Sequence, residues 1–207
     1  GKIAEGRTDL EGKYVYLIPY GSDGVATDSA LIEKNTFKLQ GEPTADGLYA
    51  LYLKGEGDEM MSRVGEAPFS AVFVLQKGEM KAVLDSFSYV TGTPENDAFK
   101  DIRSVLVETQ KNYMALVSDV KEGEIEAVKA KAAQLENEMM AKIKAYIEAN
   151  PNKLTTAKLL ADFQFALDEQ VQEAALAKAD SAFMNIPGIK EIAEHLQVMK
   201  KVAVGQK

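Results

Sequence analysis

The sequence has no cysteine and no tryptophan, and it has a single histidine, His195. Without cysteine, the chain by itself forms no disulfide, no thiolate nucleophile and no thiolate site for zinc or an iron–sulfur cluster. A lone histidine has no second imidazole with which to share a metal ion or pass on a proton. We therefore interpret His195 as a structural or surface residue.

Positive charge and long apolar runs are also scarce. Lysine and arginine number 24 against 32 acidic residues, a net charge of −8, which disfavours a nucleic-acid partner because displacing counterions requires a positive stripe. The longest apolar run, Phe69–Leu75, is far short of the roughly 20 residues of a membrane helix. Lys2–Lys13 is charged and does not resemble a signal peptide. Because the first residue is Gly1, we expect a processed or truncated chain.

What is present divides into two regions. Residues 1–92 hold 12 of the 15 glycines and 10 of the 16 aromatic residues, whereas residues 93–207 hold 19 alanines. Glycine and aromatic residues favour turns and strands, and alanine favours helix. The sequence therefore predicts an α+β protein. We expect an antiparallel β-sandwich-like domain over residues 1–92 and an all-helical domain with a long antiparallel helical hairpin over residues 93–204.

Short segments with β-branched and aromatic residues, separated by turn signals, indicate seven or eight strands in the first region. The predicted strands cover Tyr14–Ile18, Val25–Leu31, Thr36–Gln40, Leu48–Leu53, Phe69–Leu75, Met80–Leu84 and Phe87–Val90. Turns are predicted at Gly21–Gly24 and Lys77-Gly78, and a polar acidic loop at Gly55–Glu66.

Apolar residues three and four positions apart predict helices in the second region. One series is Phe99, Ile102, Leu106, Thr109, Tyr113 and Leu116, and the next is Ile125, Val128, Ala132, Leu135, Met139, Ile143 and Tyr146. A turn at Ser118–Gly123 makes these two helices a hairpin, and Pro151 ends the second near Ala149. Three shorter helices are predicted at about Thr155–Leu167, Glu169–Phe183 and Pro187–Lys201.

Two short motifs are compatible with chemistry, but each has a simpler explanation. Gly55-Glu56-Gly57-Asp58-Glu59 has two of the glycines of a dinucleotide loop, but its carboxylates would repel phosphate and it lacks the spacing of a calcium loop. Asp28-Ser29 has no Gly-x-Ser-x-Gly turn to expose the serine. We interpret the first as a hairpin loop and the second as part of a strand.

The carboxylates and methionines of the predicted helices also have a structural explanation. Charge on the exposed face of a helix normally aids solubility, and we expect this role for Glu122, Glu124, Glu126, Glu136 and Glu138. Acid pairs of the glycosidase kind usually lie beside tryptophan or several aromatic residues that stack on sugars, and this chain has no tryptophan. Met139 belongs to the apolar stripe of its helix and is interpreted as core filler. We therefore predict no catalytic, cofactor-binding or metal-binding residue in this chain, and no cofactor.

Five segments in fixed order resemble a known family. They are Gly12–Leu17, Asp28–Ala30, Thr36–Gly41, Val74–Glu79 and Val90–Asn96. This arrangement is similar to the N-terminal domain of unknown function of thiol–disulfide oxidoreductase lipoproteins from Gram-negative gut anaerobes. In that family a helical segment leads into a thioredoxin-like domain of the alkyl hydroperoxide reductase and thiol-specific antioxidant superfamily. Val202–Lys207 resembles the start of that transition, with residues 205–207 as the lead-in.

The resemblance implies a function that the residues alone do not. The chain is expected to be the non-catalytic N-terminal region of a periplasmic or outer-membrane-attached oxidoreductase, serving client positioning, interaction or dimerisation. Its partners would be protein clients with thiols or disulfides, acting through the absent thioredoxin-like domain, together with a possible second copy. The membrane would be reached only through a lipid anchor upstream of this chain. The alternative is a stand-alone surface lipoprotein that binds a ligand or protein without redox activity. A hydrolase that uses carboxylates is a third hypothesis.

Overall fold

The computed structural model describes residues 1–21, 25–41, 47–53, 68–118, 120 and 123–205. The chain divides into two compact units, residues 1–101 and residues 102–207. Two β-sheets form most of the first unit and helices form the second, so the protein is α+β, as predicted. The division falls inside the first long helix.

Seven strands are present in the described part of the first unit. They are β1 (Lys2–Ile3), β2 (Tyr14–Pro19), β3 (Asp28–Leu31), β4 (Gly47–Leu53), β5 (Ser70–Leu75), β6 (Lys81–Leu84) and β7 (Tyr89–Thr91). One sheet has the order β3-β2-β4-β5 and is wholly antiparallel. The other has the order β1-β6-β7, in which β1 pairs parallel to β6.

The two sheets share one hydrophobic core. Because successive side chains in a strand point to opposite faces, alternate residues of β2, β4 and β5 face inward. They pack with apolar residues from the smaller sheet. The members of this core include Ile3, Val15, Leu17, Leu51, Leu53, Phe73, Leu75, Ala82, Leu84 and Val90, all nearly inaccessible to solvent.

The helices are α1 (Pro94–Val117), α2 (Ile125–Ala149), α3 (Leu154–Asp162), α4 (Glu169–Ala177), α5 (Ser181–Met184) and α6 (Pro187–Gly205). The helical region includes the hairpin of α1 and α2. At 1.5 Å per residue, α2 is roughly 37 Å long. Toward the end of α2, helices α3, α4, α5 and α6 complete a small bundle.

Within the second unit, the last turns of α2 pack into the bundle, whereas the first turns of α2 are largely exposed. Ile143 and Ile147 of α2 are buried, as are Leu160 of α3 and Ile192 of α6. The Tyr146 hydroxyl and the Thr155 hydroxyl share a buried hydrogen bond of 2.8 Å that ties α2 to α3. The predicted apolar periodicity of α2 therefore corresponds to a packed face only over its last turns.

One predicted strand is not formed. Thr36–Gln40 alternates in sequence, yet apart from bridges at Thr36 it belongs to no ladder. The segment turns back beside β3, where the Asp28 side chain, rather than a backbone carbonyl, accepts the Gln40 N–H at 3.0 Å. A carboxylate thus replaces the carbonyl that a ladder would supply at that position.

Two predicted helices are shorter than expected. The helix predicted to reach Leu167 ends at Asp162, and a turn follows. The Gln172 amide stabilises this turn by donating to the carbonyls of Gln164 and Leu167. The helix predicted over Glu169–Phe183 is two helices. Asp180 separates them: its carboxylate accepts the Phe183 N–H at 2.8 Å and caps α5.

Several boundaries also differ from the predictions. The strand predicted at Val25–Leu31 begins at Asp28, and β1 was not predicted. The Lys77-Gly78 turn is confirmed. The predicted loop at residues 55–66 lies outside the described residues, as do parts of the predicted turns at residues 21–24 and 118–123.

Candidate functional site

A cleft of about 1110 Å³ opens in the first unit. One wall is residues 37–41 and the other is residues 76–80. Its floor is apolar and comes from strands of both sheets: Leu17 of β2, Leu51 of β4, Phe73 and Leu75 of β5, Ala82 of β6 and Val90 of β7. This volume is slightly above the roughly 300–1,000 Å³ that is typical of pockets for small ligands.

Alternation along the strands explains why the floor is apolar. Val15 and Leu17 share the inner face of β2, and Phe73 and Leu75 share that of β5. The floor residues of these strands are themselves members of the hydrophobic core. The floor is therefore an extension of the hydrophobic core.

Charged and polar side chains surround the cleft. Lys38, Lys77 and Glu79 are exposed, and Gln40 is exposed beside them. Among the described residues of this rim, two side-chain ammonium groups stand against one carboxylate. The described part of the cleft thus combines an apolar floor with a rim of mixed charge.

The first wall is held by carboxylates that bind backbone N–H groups. Both oxygens of Asp28 are engaged, one by the Ser29 N–H at 2.8 Å and the other by the Gln40 N–H at 3.0 Å. Glu11 accepts the N–H groups of Lys34 and Asn35 at 2.6 and 3.3 Å. These bonds stabilise a turn in which Lys34 and Asn35 both have positive φ angles.

The second wall is held where β7 joins α1. Gly92 has φ +109°, and a Cβ at this position would lie 2.7 Å from the Glu79 carbonyl oxygen, so only glycine fits. The Asn96 amide, fully buried, accepts the Val74 N–H at 2.8 Å and donates to the Val74 carbonyl at 2.9 Å. Asn96 therefore pairs with the edge of β5 as another strand would.

Gly1 closes the inner end of the cleft. Its amino group donates to the Phe37 carbonyl at 2.7 Å, and the Phe37 N–H donates to the Gly1 carbonyl at 3.1 Å. Partial burial lowers the pKa of this amino group from its usual value. The two bonds form a narrow antiparallel pair at the end of β1.

The arrangement is suited to binding. Among the described residues, the ionisable side chains that line the cleft are Lys38, Lys77 and Glu79, and this set contains no activated nucleophile and no oriented acid–base pair. The part of the chain described here contains no group of three or more side chains that could hold a metal ion. Within that part, no helix is long and apolar enough to span a membrane.

The motifs considered in the sequence have structural roles where they are described. Asp28 fixes the wall of the cleft, and Ser29 is an exposed strand residue of the first unit. His195 is exposed on α6 in the second unit. Residues 55–59 lie outside the described residues.

The helix residues considered in the sequence follow the expected pattern in part. The described glutamates of α2 and its cap are exposed, and Glu126 pairs with Lys129 at 2.9 Å. Glu122 is outside the described residues. Met139 is half-buried, and the neighbouring Met140 is the more buried of the two.

Sequence reasoning did not identify the cleft, although a signal for it was present. Phe37–Gly41 and Leu75–Glu79 fall within two of the five ordered segments, and Leu17 and Val90 belong to two others. The cleft thus draws residues from four of the five segments. Only the fold shows that these segments meet.

No curated protein and no solved structure has significant similarity to the chain. A family model does match the first unit, over residues 1–99. That range includes both sheets, both walls of the cleft and the Asn96 contact with β5. The first 99 residues thus match the domain family described as Domain of unknown function (DUF4369).

Proposed function

We propose that this chain is the non-catalytic N-terminal region of a thiol–disulfide oxidoreductase of the bacterial cell envelope. The observation that carries this proposal is the convergence of four of the five ordered segments on one cleft, inside the residues that match the DUF4369 family model. The ordered segments support the link to oxidoreductases by resemblance. The proposed location is the periplasm, or attachment to the outer membrane.

Redox chemistry in such a protein would take place outside this chain. A thiol–disulfide exchange requires a thiolate, and the 207 residues contain no cysteine. The region would act by holding a client protein near a thioredoxin-like domain, because tethering raises the effective concentration of a partner. Among the described residues, the cleft and exposed apolar residues of the hairpin, such as Met114 and Ile125, offer surfaces for client binding or for a second copy.

The most direct test is the coding sequence after the codon for Lys207. A downstream domain with a Cys-x-x-Cys motif at the start of a helix would support the proposal. A stop codon shortly after Lys207 would contradict it, because the protein would then have no thiol for the reaction.

An activity assay tests the division of labour. The 207-residue chain should leave the rate of insulin reduction by dithiothreitol at its uncatalysed value, since no residue can form a mixed disulfide. A form that includes the downstream Cys-x-x-Cys domain should accelerate the reaction. Acceleration by the cysteine-free chain alone would contradict the assignment.

The second candidate function is a surface lipoprotein that binds a ligand or protein without redox activity. It is favoured by the apolar floor and the charged rim of the cleft, whose described residues all belong to the first unit. This function predicts that a stop codon follows Lys207 and that the chain alone retains the full affinity of the native protein for its partner.

A further inference from the structure

Strand β1 is two residues long and lies between two neighbours. On one side Lys2 pairs with Val83 of β6 in parallel register. On the other side Lys2 forms an antiparallel bridge with Thr36, and the Ile3 N–H donates to the Asn35 carbonyl at 2.9 Å. Each edge of β1 thus already has a polypeptide segment alongside it.

Extending these registers past Gly1 leads into the cleft. Gly1 pairs with Phe37, so the next positions on the amino side would lie beside Lys38, Leu39, Gln40 and Gly41. On the β6 side, Gly1 is level with Ala82, and a residue two positions earlier would be level with Met80. Apart from Lys81, the residues reached in this way are those that line the cleft.

The wall of the cleft has the sequence of a strand but no strand beside it. Residues 36–40 alternate between inward and outward side chains, with Phe37 buried and Lys38 exposed. Within the described residues, no ladder includes Lys38–Gly41. Alternation of this kind is typical of a segment that pairs in a sheet with one face buried.

We propose that the cleft is a slot for one further stretch of β-strand, formed by polypeptide joined to the amino group of Gly1. The strand continues β1, runs antiparallel to residues 38–41 and runs parallel to the segment that enters β6. About four residues fill the slot, one opposite each of residues 38–41, and together they span roughly 13 Å at about 3.3 Å per residue. The inference is independent of the proposed redox function.

The direction of the side chains defines what this strand must contain. Ile3 is buried, and a Cβ on Gly1 would lie 2.2 Å from the Phe37 ring, so both residues face inward. By alternation, the second and fourth residues before Gly1 face the apolar floor, and the first and third face solvent. The slot therefore accepts a strand that is apolar at the second and fourth positions.

Two extended forms of the full chain with the same composition test the proposal. One carries Val-Thr-Val-Thr before Gly1, which places valine over the floor, and the other carries Thr-Val-Thr-Val, which places threonine there. The Phe37 N–H faces Gly1, so by alternation the N–H groups of Leu39 and Gly41 face the added strand. We expect the first extension to slow amide hydrogen exchange at Leu39 and Gly41 at least tenfold relative to the unextended chain and to raise the melting temperature. The second should do so much less.

Equal protection by the two extensions, or none by either, would overturn the proposal. A third arm adds the peptide Val-Thr-Val-Thr-amide to the unextended chain at millimolar concentration. We expect no protection of the Leu39 and Gly41 amides, because only attachment to Gly1 supplies the effective concentration. Protection by the separate peptide equal to that in the extended chain would show a site for another polypeptide, and would also overturn the assignment to this chain.

Discussion

The two units satisfy their backbone groups in different ways. In the first unit, buried or half-buried side chains take the place of strand neighbours: Asn96 pairs with both backbone groups of Val74, and Asp28 accepts the Gln40 N–H. In the second unit the helices bond their own backbone internally, and side chains such as Gln172 bond backbone groups only in the turns between helices. Specific polar residues are therefore expected to matter at strand edges in the first unit and at turns in the second, where apolar burial packs one helix on another.

A second contrast lies within the helical unit. Ile143 is fully buried where α2 meets the bundle, whereas Leu135 is half-buried and Ile125 is half-exposed toward the other end of the same helix. An apolar stripe with constant helical spacing thus meets an environment that changes along its length. The pattern sets which face is apolar, and the neighbouring helices set how much of it is buried.

The largest expected effect tests burial across the two regions. Leu84→Ala removes a fully buried side chain of the two-sheet core and should lower the free energy of unfolding by about 2–5 kcal/mol. Leu135→Ala, in the half-buried part of α2, should cost about 1 kcal/mol or less. Urea denaturation followed by strand and helix amide signals in NMR measures both. Equal losses would remove the contrast between core and hairpin.

The next effect tests the polar residue that substitutes for a strand. Asn96→Ala leaves the buried N–H and carbonyl of Val74 without their partner, and each unsatisfied group costs about 1–3 kcal/mol. Asn112→Ala, on an exposed position of the same helix, is the matched control and should change stability little. If the two variants were equally stable in denaturant, the pairing of Asn96 with β5 would have no energetic role.

A smaller effect on stability distinguishes the backbone strain of a positive φ angle from a steric clash between a new Cβ and the neighbouring backbone. Gly92→Ala and Gly12→Ala both place a Cβ on a residue with positive φ, at a cost of roughly 1–2 kcal/mol. Only at Gly92 would the new atom also meet backbone, the Glu79 carbonyl oxygen at 2.7 Å; Gly12 has open space around it. The thermal melting temperature should therefore fall further for Gly92→Ala. A larger fall for Gly12→Ala would contradict this geometry.

The smallest expected effect is electrostatic and lies on the surface of the first unit. Hydrogen bonds of 2.8 and 2.7 Å from the Arg7 guanidinium lower the pKa of Asp9 from 3.8 to about 2. A lowered pKa in the folded state means that the pair stabilises the fold above pH 3.8, and that this contribution is lost as the pH falls through about 2. Carboxyl chemical shifts of Asp9 measured against pH should show this midpoint. Arg7→Gln should return it toward 3.8, and a midpoint near 3.8 in the native chain would exclude the pairing in solution.

Local patterns predicted most of the elements. The aromatic and β-branched segment at Tyr14–Ile18 forms β2, and the periodic residues from Ile125 onward form α2 and end at Ala149 before Pro151. Two exceptions share one cause. Asp28 replaces a ladder carbonyl at Gln40, and Asp180 caps a new helix. In each case one side chain intercepts a backbone N–H, and the hydrophobic pattern does not record where such a side chain will lie.

The sequence by itself determined the fold class, the change from strands to helices, the face of each helix that is apolar and the exclusion of thiol chemistry from this chain. These follow from residue type and spacing, which act over a few neighbouring positions. Only the tertiary structure decided that residues 37–41 and 76–80 face each other across a cleft, that β1 points into it and that Asn96 completes the edge of β5. Those contacts join residues far apart in the chain, and their positions depend on how the two sheets pack.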